Sequence, residues 1–93
     1  MWNVNICDYG LNDEEEYFVT YRIYDLDEKT LNYLVNTLEG KIAVEGNSII
    51  FDVIFPEKIF PFKTDEAKLK IDDFIAREEI EMGFFIAGLL EDM

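Results

Sequence analysis

Polar and apolar residues alternate at the start of the chain, as in a β-strand with one buried face. Trp2, Val4 and Ile6 are separated by asparagines, and residues 17–24 are rich in aromatic and β-branched side chains. Turn-forming residues lie between these two segments, at positions 8–13. The pattern therefore predicts two strands joined by a turn.

Apolar residues then recur with the spacing of a helix. The first predicted helix follows Asp27, a residue suited to cap a helix N-terminus, and Gly40 is placed to end it. A second helix is predicted from Thr64, a plausible cap, to about Glu78. The apolar stripes of the two helices comprise Leu31, Leu34, Val35 and Leu38 in the first and Ala67, Ile71, Phe74 and Ile75 in the second.

Strand patterns return between the two helices and after the second one. Residues 41–45 and 48–55 indicate a hairpin around Gly46-Asn47, and Pro56 and Pro61 bracket the loop that follows. Both faces of 48–55 are largely apolar, so this strand is expected to be central or to have its second face covered by something else. A last strand is predicted at 79–90, because the apolar residues Ile80, Met82, Phe84 and Ile86 alternate and two glycines weaken a continued helix.

These elements predict one α+β domain spanning residues 1–93, with an antiparallel sheet and two helices in the order β-β-α-β-β-α-β. Without the first strand, the order resembles the ferredoxin-like pattern β-α-β-β-α-β. In that fold the strand at 17–24 has neighbours on both sides, so the extra N-terminal strand competes for one of those places. We therefore expect the N-terminal strand either to take one of the two places beside the strand at 17–24 or to lie at an edge of the sheet. A different topology is the third alternative.

Acidic residues are concentrated at the two ends of the chain. The net charge is -13, from 21 acids against 8 bases. Residues 1–28 hold eight acids and one arginine, residues 29–71 hold six acids and six lysines, and residues 72–93 hold seven acids and one arginine. The ferredoxin-like arrangement places residues 14–16 near Glu91 and Asp92, and residues 25–28 near residues 78–81. Such crowding of like charges is tolerated more readily if a cationic partner relieves it; a merely solvated acidic surface is the alternative.

The chain lacks the residues that most enzyme chemistry requires. It has no histidine, no phosphate-binding glycine-rich loop and no dinucleotide fingerprint. Its single cysteine, Cys7, lies in a predicted strand and is expected to be a small buried residue. The acidic segments 13–16 and 25–28 do not fit the calcium-loop pattern. We therefore predict a non-enzyme without a metal or cofactor.

The expected location is the cytoplasm. One cysteine cannot form a disulfide within the chain, and the sequence does not start with a signal-peptide pattern. The longest apolar run, at 84–90, is far too short to span a membrane.

The candidate binding surface combines acids with aromatic anchors. If both helices cover one side of the sheet, the other side exposes a charged and aromatic mixture of the kind found in protein interfaces. We predict that a partner binds Asp13, Glu14, Glu15, Glu16, Phe18, Tyr24, Glu78, Glu79, Glu81 and Phe85.

Two functions of different classes are compatible with this surface. The first is an inhibitor or antidote that blocks a basic surface of a partner, with carboxylates standing where nucleic-acid phosphates would bind. In composition and size the chain resembles phage anti-defence proteins, including anti-CRISPR proteins that mimic DNA, and immunity proteins for nuclease toxins. The negative charge excludes direct nucleic-acid and membrane binding. The alternative is a structural or regulatory homo-oligomer, such as a homodimer, whose acids serve only solubility.

Overall fold

The computed structural model describes residues 1–55 and 67–93. It confirms the predicted α+β fold, with an antiparallel sheet and two helices. The predicted cap at Thr64 and the loop bracketed by Pro56 and Pro61 lie outside the described residues. The elements are β1 (Asn3–Leu11), β2 (Tyr17–Tyr24), α1 (Glu28–Thr37), β3 (Ile42–Glu45), β4 (Ser48–Phe55) and α2 (Ala67–Leu90).

The four strands form one sheet in the order β1-β2-β4-β3, and every neighbouring pair is antiparallel. β2 and β4 are the interior strands, which confirms the central position predicted for residues 48–55. β3 and β4 are joined through Gly46 and Asn47, and Gly46 adopts a φ of 58°, a left-handed conformation that glycine accommodates without a steric penalty.

The predicted last strand at 79–90 is wrong, because these residues continue α2 without a break to Leu90. Eight of the twelve residues in this segment are apolar, so they meet a period of two as readily as the period of a helix. Gly83 and Gly88 each cost a helix about 1 kcal/mol relative to alanine. The hydrogen bonds and packing gained by extending α2 exceed that cost.

The N-terminal strand occupies the position that the last strand holds in a ferredoxin-like sheet. β1 pairs with β2 over its whole length, from Asn3 opposite Tyr24 to Leu11 opposite Tyr17. Because β4 pairs with the other edge of β2, no place beside β2 remains for a further strand. The prediction of a ferredoxin-like core is therefore wrong for its last strand. The order of the other strands in the sheet is as that core predicts.

Both helices pack on one face of the sheet and enclose the core. The buried apolar side chains of the sheet come from alternate positions of β2 and from one position each of β1 and β4, and those of the helices are Leu34, Phe74 and Ile86. The sheet residues are Val4, Tyr17, Val19, Tyr21, Ile23 and Ile49. α2 lies against β1, and α1 lies between β4 and α2.

The start of α1 is capped as the sequence predicts. The Asp27 carboxylate accepts a hydrogen bond from the Thr30 backbone N–H at 2.7 Å, and Glu28 lies in the first turn. This bond to the ionised form lowers the pKa of Asp27. Asp27 is thus a structural residue.

Cys7 lies at an irregularity in β1 and is exposed, so its predicted burial is wrong. The register of β1 against β2 shifts between Ile6 and Asp8. Cys7 is the extra residue, and its Sγ lies 3.6 Å from the Thr20 carbonyl oxygen. Such a bulge turns a side chain out of the regular alternation of a strand.

Candidate functional site

The turn between β1 and β2 presents four consecutive acids at the tip of a hairpin. Asp13, Glu14, Glu15 and Glu16 are all exposed. The Asn12 side-chain oxygen accepts hydrogen bonds from the backbone N–H groups of Glu14 and Glu16, both at 2.9 Å. We call these four acids the acidic tip. Their backbone is fixed by hydrogen bonds, so little order has to be gained on binding.

Two backbone hydrogen bonds and one left-handed residue complete the turn. The Asn12 N–H donates to the Glu16 carbonyl at 2.9 Å, and the Glu15 N–H donates to the Asn12 carbonyl at 3.1 Å. Glu15 adopts a φ of 61°, which is uncommon for a residue other than glycine. Sequence reasoning missed Asn12 as the organiser, although an asparagine at the start of a turn is a recognised signal.

Phe18 and Tyr24 lie on the outer face of the sheet, the face opposite the two helices, and both are half-buried. Their neighbours there are polar as well as apolar. The Thr20 hydroxyl donates to Asp52, and the Arg22 guanidinium donates to the Ser48 hydroxyl at 3.3 Å and 3.4 Å. Ile54 lies on the same face and is 49% exposed. The outer face is therefore the predicted mixture of aromatic, aliphatic and charged groups.

Glu78, Glu79, Glu81 and Phe85 do not join that surface. They lie on α2, which packs on the other side of the sheet. The predicted strand at 79–90 would place Glu79, Glu81 and Phe85 on one face, but residues two apart point to different sides of a helix. Glu81 and Phe85 are four apart and share a side, whereas Glu79 turns towards β1.

Glu79 binds a backbone N–H group at the edge of the sheet. Its Oε2 accepts a hydrogen bond from the Ile6 backbone N–H at 3.3 Å, at the bulge in β1. An edge strand otherwise presents unpaired N–H groups to other chains. Glu79 is thus occupied within the fold, a role that sequence reasoning did not assign to it.

Glu78 lies in a crowded acidic environment above the sheet. Its side chain is 15% exposed, and its Oε1 lies 3.9 Å from the Arg77 Nε. Burial and the negative charge of Glu81 raise the pKa of Glu78, and Arg77 opposes them only in part. Burial also raises the pKa of the Tyr21 hydroxyl, and so do the negative charges of Glu78, Glu81 and Glu79. The ionised Glu78 carboxylate is therefore a cost to the folded state.

Replacing Glu78 by Gln should raise the melting temperature at pH 7. The pKa of Glu78 is higher in the folded chain than its ordinary value of 4.5, so its ionised carboxylate destabilises the fold at neutral pH. Lowering the pH through the folded pKa protonates the carboxylate and removes that cost. The gain from Glu78→Gln should therefore shrink towards zero as the pH falls to about 4.5. Thermal melts between pH 4 and 8 test this, with the exposed Glu39→Gln as control. A lower melting temperature for Glu78→Gln at pH 7 would show that the Arg77 pair dominates.

α2 runs from the acidic tip towards α1. Phe74 contacts Phe55 edge-to-face, with ring centroids 5.8 Å apart, and Phe55 pairs with Tyr17 beside the tip. Fifteen residues later, the Leu89 carbonyl accepts a hydrogen bond from the Tyr33 hydroxyl of α1 at 3.0 Å. Fifteen residues of helix span about 22 Å. The two ends of α2 therefore lie at opposite ends of the sheet.

This direction corrects the expected pairing of the acidic segments. Asp72 and Asp73, at the start of α2, lie towards the acidic tip, and Glu91 and Asp92 lie at the far end beside α1. Residues 78–81 lie near Ile6 and Tyr21, in the middle of β1 and β2, and not beside residues 25–28. The difference follows from a helix replacing the predicted strand.

An apolar groove lies between the end of α1, the second half of β4 and α2. Its volume is about 500 Å³, within the range of sites that take a small molecule or a large side chain. Sequence reasoning missed it, because the strand prediction gave α2 no second half to form a wall. The lining residues are Thr37, Leu38, Glu39, Phe51, Asp52, Val53, Met82, Phe85 and Leu89.

The acids are scarcely neutralised within the described part of the chain. Arg77 with Glu78 is the one ion pair among the side chains of residues 1–55 and 71–93. Residues 1–55 and 67–93 also hold no group of three or more metal-ligating side chains that could bind an ion. No helix of this part has both the length and the apolar character needed to cross a membrane.

Comparison with known protein families matches residues 3–92 to a family of unknown function, DUF5750. The match covers nearly the whole chain. No curated protein matches it.

Proposed function

Since the chain belongs to the DUF5750 family, whose function is unknown, we propose a function from its own surface: a non-enzymatic binding protein that blocks a basic, nucleic-acid-binding surface of a partner protein. The observation that carries the proposal is the acidic tip. Four exposed carboxylates stand together on a turn whose backbone is fixed, and none of them forms an ion pair with the described side chains of residues 1–55 and 71–93.

The tip can act by standing in for phosphates. A basic groove that binds a nucleic-acid backbone holds lysine and arginine side chains facing a row of negative charges. Carboxylates accept the same charge-assisted hydrogen bonds, and arginine binds them with two parallel bonds. Phe18 lies next to the tip on the outer face and provides an apolar contact. Inhibitors of nucleases, as in phage anti-defence or toxin immunity, are the class of protein that this chemistry fits, and the cytoplasm is the compartment we propose.

The negative field speeds the encounter and sets its salt dependence. Electrostatic steering raises association rates with oppositely charged partners, and salt screens it with a Debye length of about 10 Å at 0.1 M. The field repels nucleic acid itself. The partner is therefore a protein.

Capture of partners from the native host at low salt, followed by titration of the purified partner, tests the proposal. We expect a basic nucleic-acid-binding protein that is released by salt and that loses its nucleic acid when this chain binds. A partner that binds nucleic acid and this chain at the same time would contradict the blocking function.

The chain should bind neither DNA nor RNA directly. A mobility-shift assay at low salt, with duplex DNA and single-stranded RNA, should show no complex at micromolar protein, because a net charge of -13 repels phosphates. A retarded band that strengthens with protein concentration would contradict this prediction.

A further inference from the structure

From Met82 to Leu90, α2 is apolar on all sides, yet the described residues cover only one side of it. Residues 82–90 include no charged side chain. Ile86 is fully buried against the sheet, whereas Phe84 is 74% exposed and Ile80, one turn earlier, is 60% exposed. A helix that is hydrophobic all round is normally buried all round. Within the described part of the chain, the outward side of α2 is therefore uncovered.

The outward residues follow the spacing of a helix-packing seam. Arg77, Ile80, Phe84, Gly88 and Glu91 are separated by three, four, four and three residues, and all are exposed. This is the heptad-like spacing by which two helices pack along their length. We call these five residues the outer stripe. Phe84 is its centre, with a cation seven residues before it and an anion seven residues after it.

We propose that the outer stripe packs against the outer stripe of a second copy of this chain, antiparallel, with the two-fold axis at Phe84. In that arrangement a residue n positions before Phe84 faces the residue n positions after it in the partner subunit. Arg77 then faces Glu91 of the partner subunit, and the symmetry repeats this pair. The charges of the stripe are complementary to those of its own copy.

The sizes of the side chains are complementary in the same register. Ile80, four residues before Phe84, faces Gly88 of the partner subunit, four residues after it. A Cβ added at Gly88 would meet no atom within 4 Å, so the surface there is open. A large side chain opposite a glycine lets two helices approach closely, and the two Phe84 rings meet at the axis.

The arrangement also separates like charges. Glu81 faces Ala87 of the partner subunit and not another carboxylate. The Arg77 side chain is 65% exposed. Its guanidinium lies 5.9 Å from the Phe74 ring centroid and at the limit of an ion pair with Glu78, so the exposed part of the side chain can reach a further partner. The two subunits still repel through their overall charge. Salt should therefore strengthen the dimer, whereas it weakens binding to a basic partner.

Sedimentation equilibrium of the full chain, at several concentrations and at low and high salt, tests the dimer. We expect a reversible dimer that is favoured at high salt. Phe84→Gln, which leaves the net charge unchanged, should weaken it about tenfold or more, as for a central aromatic anchor. Circular dichroism should be unchanged, because Phe84 packs outside the core. The acidic tip is intact in this variant, so binding to a basic partner should persist.

A charge swap tests the antiparallel register. Arg77→Glu and Glu91→Arg should each weaken the dimer, because each places like charges opposite one another twice. The double variant restores opposite charges at the native net charge, and its dimer should recover. Arg77→Lys with Glu91→Asp, which keeps both signs, is the matched control and should dimerise.

Three results would overturn the proposal. The first is a chain that stays monomeric at all concentrations up to about 1 mM, which would mean that any dimer has a dissociation constant weaker than about 1 mM. The second is a dimer unaffected by Phe84→Gln, which would place the interface elsewhere, for example on the outer face of the sheet. The third is a chain that stays monomeric in solution and binds uncharged phosphatidylcholine vesicles through Phe84, which would make the outer stripe a membrane contact.

Discussion

Replacing Ile86 by Ala should lower the free energy of unfolding by about 2–5 kcal/mol, the cost of removing a large aliphatic side chain from a packed core. Ile86 is fully buried between α2 and the sheet. In a domain of 93 residues, a loss of that size is a large fraction of the total stability. Urea denaturation followed by circular dichroism measures it.

Ile80→Ala is the matched control, in the same helix and with the same change of side chain. Ile80 is 60% exposed, and alanine is the better helix former, so stability should stay equal or rise slightly. In a strand, positions 80 and 86 would share a face and the two substitutions would have similar effects. Equal losses for both variants would therefore contradict the helical α2. The measurement belongs at low protein concentration, where dimerisation through Ile80 is negligible.

Most elements of the first 55 residues could be predicted from local pattern, although β1 continues to Leu11 through positions that were assigned to the turn. Alternation in β1 and β2, the Asp27 cap and the glycine between β3 and β4 each point to one structure, and they agree with one another. The central position of β4 also followed from its sequence, because both of its faces are largely apolar. Local signals that agree in this way are what make a fold predictable.

The last quarter of the chain could not be predicted in the same way. In residues 80–90 every period finds apolar residues, so alternation does not distinguish a strand from a helix. The choice is made by the sheet, where β1 already fills the place beside β2. That is a property of the assembled fold and not of the segment.

The candidate site was predictable in composition and less so in position. The acidic tip and the outer-face aromatics lie where the strand assignments put them. Glu78, Glu79, Glu81 and Phe85 were displaced from that surface by the helix, and Glu79 is engaged by the Ile6 N–H. The contribution of Asn12 rests on two hydrogen bonds that a sequence does not display.

Replacing Glu14 and Glu16 together by Gln should weaken binding to the basic partner by roughly two- to thirtyfold, if each carboxylate forms one exposed ion pair worth about 0.2–1 kcal/mol. Glutamine keeps the size and polarity of the side chain and removes the charge. The Asn12 bonds involve the backbone N–H groups of these residues, so the turn should keep its shape. The loss should appear mainly in the association rate, and the remaining binding should depend less on salt.

Glu39→Gln with Glu45→Gln provides the control, because it removes the same number of charges from the neutral middle of the chain. If the tip is a specific contact, this control should change binding far less than Glu14→Gln with Glu16→Gln, although both variants have the same net charge. Equal losses would mean that the partner senses only the total field. The tip variant should also be at least as stable as the native chain, because it separates crowded carboxylates. If the tip variant loses binding while its melting temperature is unchanged or raised, the charges of the acidic tip serve a partner. If the tip variant binds fully at low salt, the acidic tip is only a solvated surface.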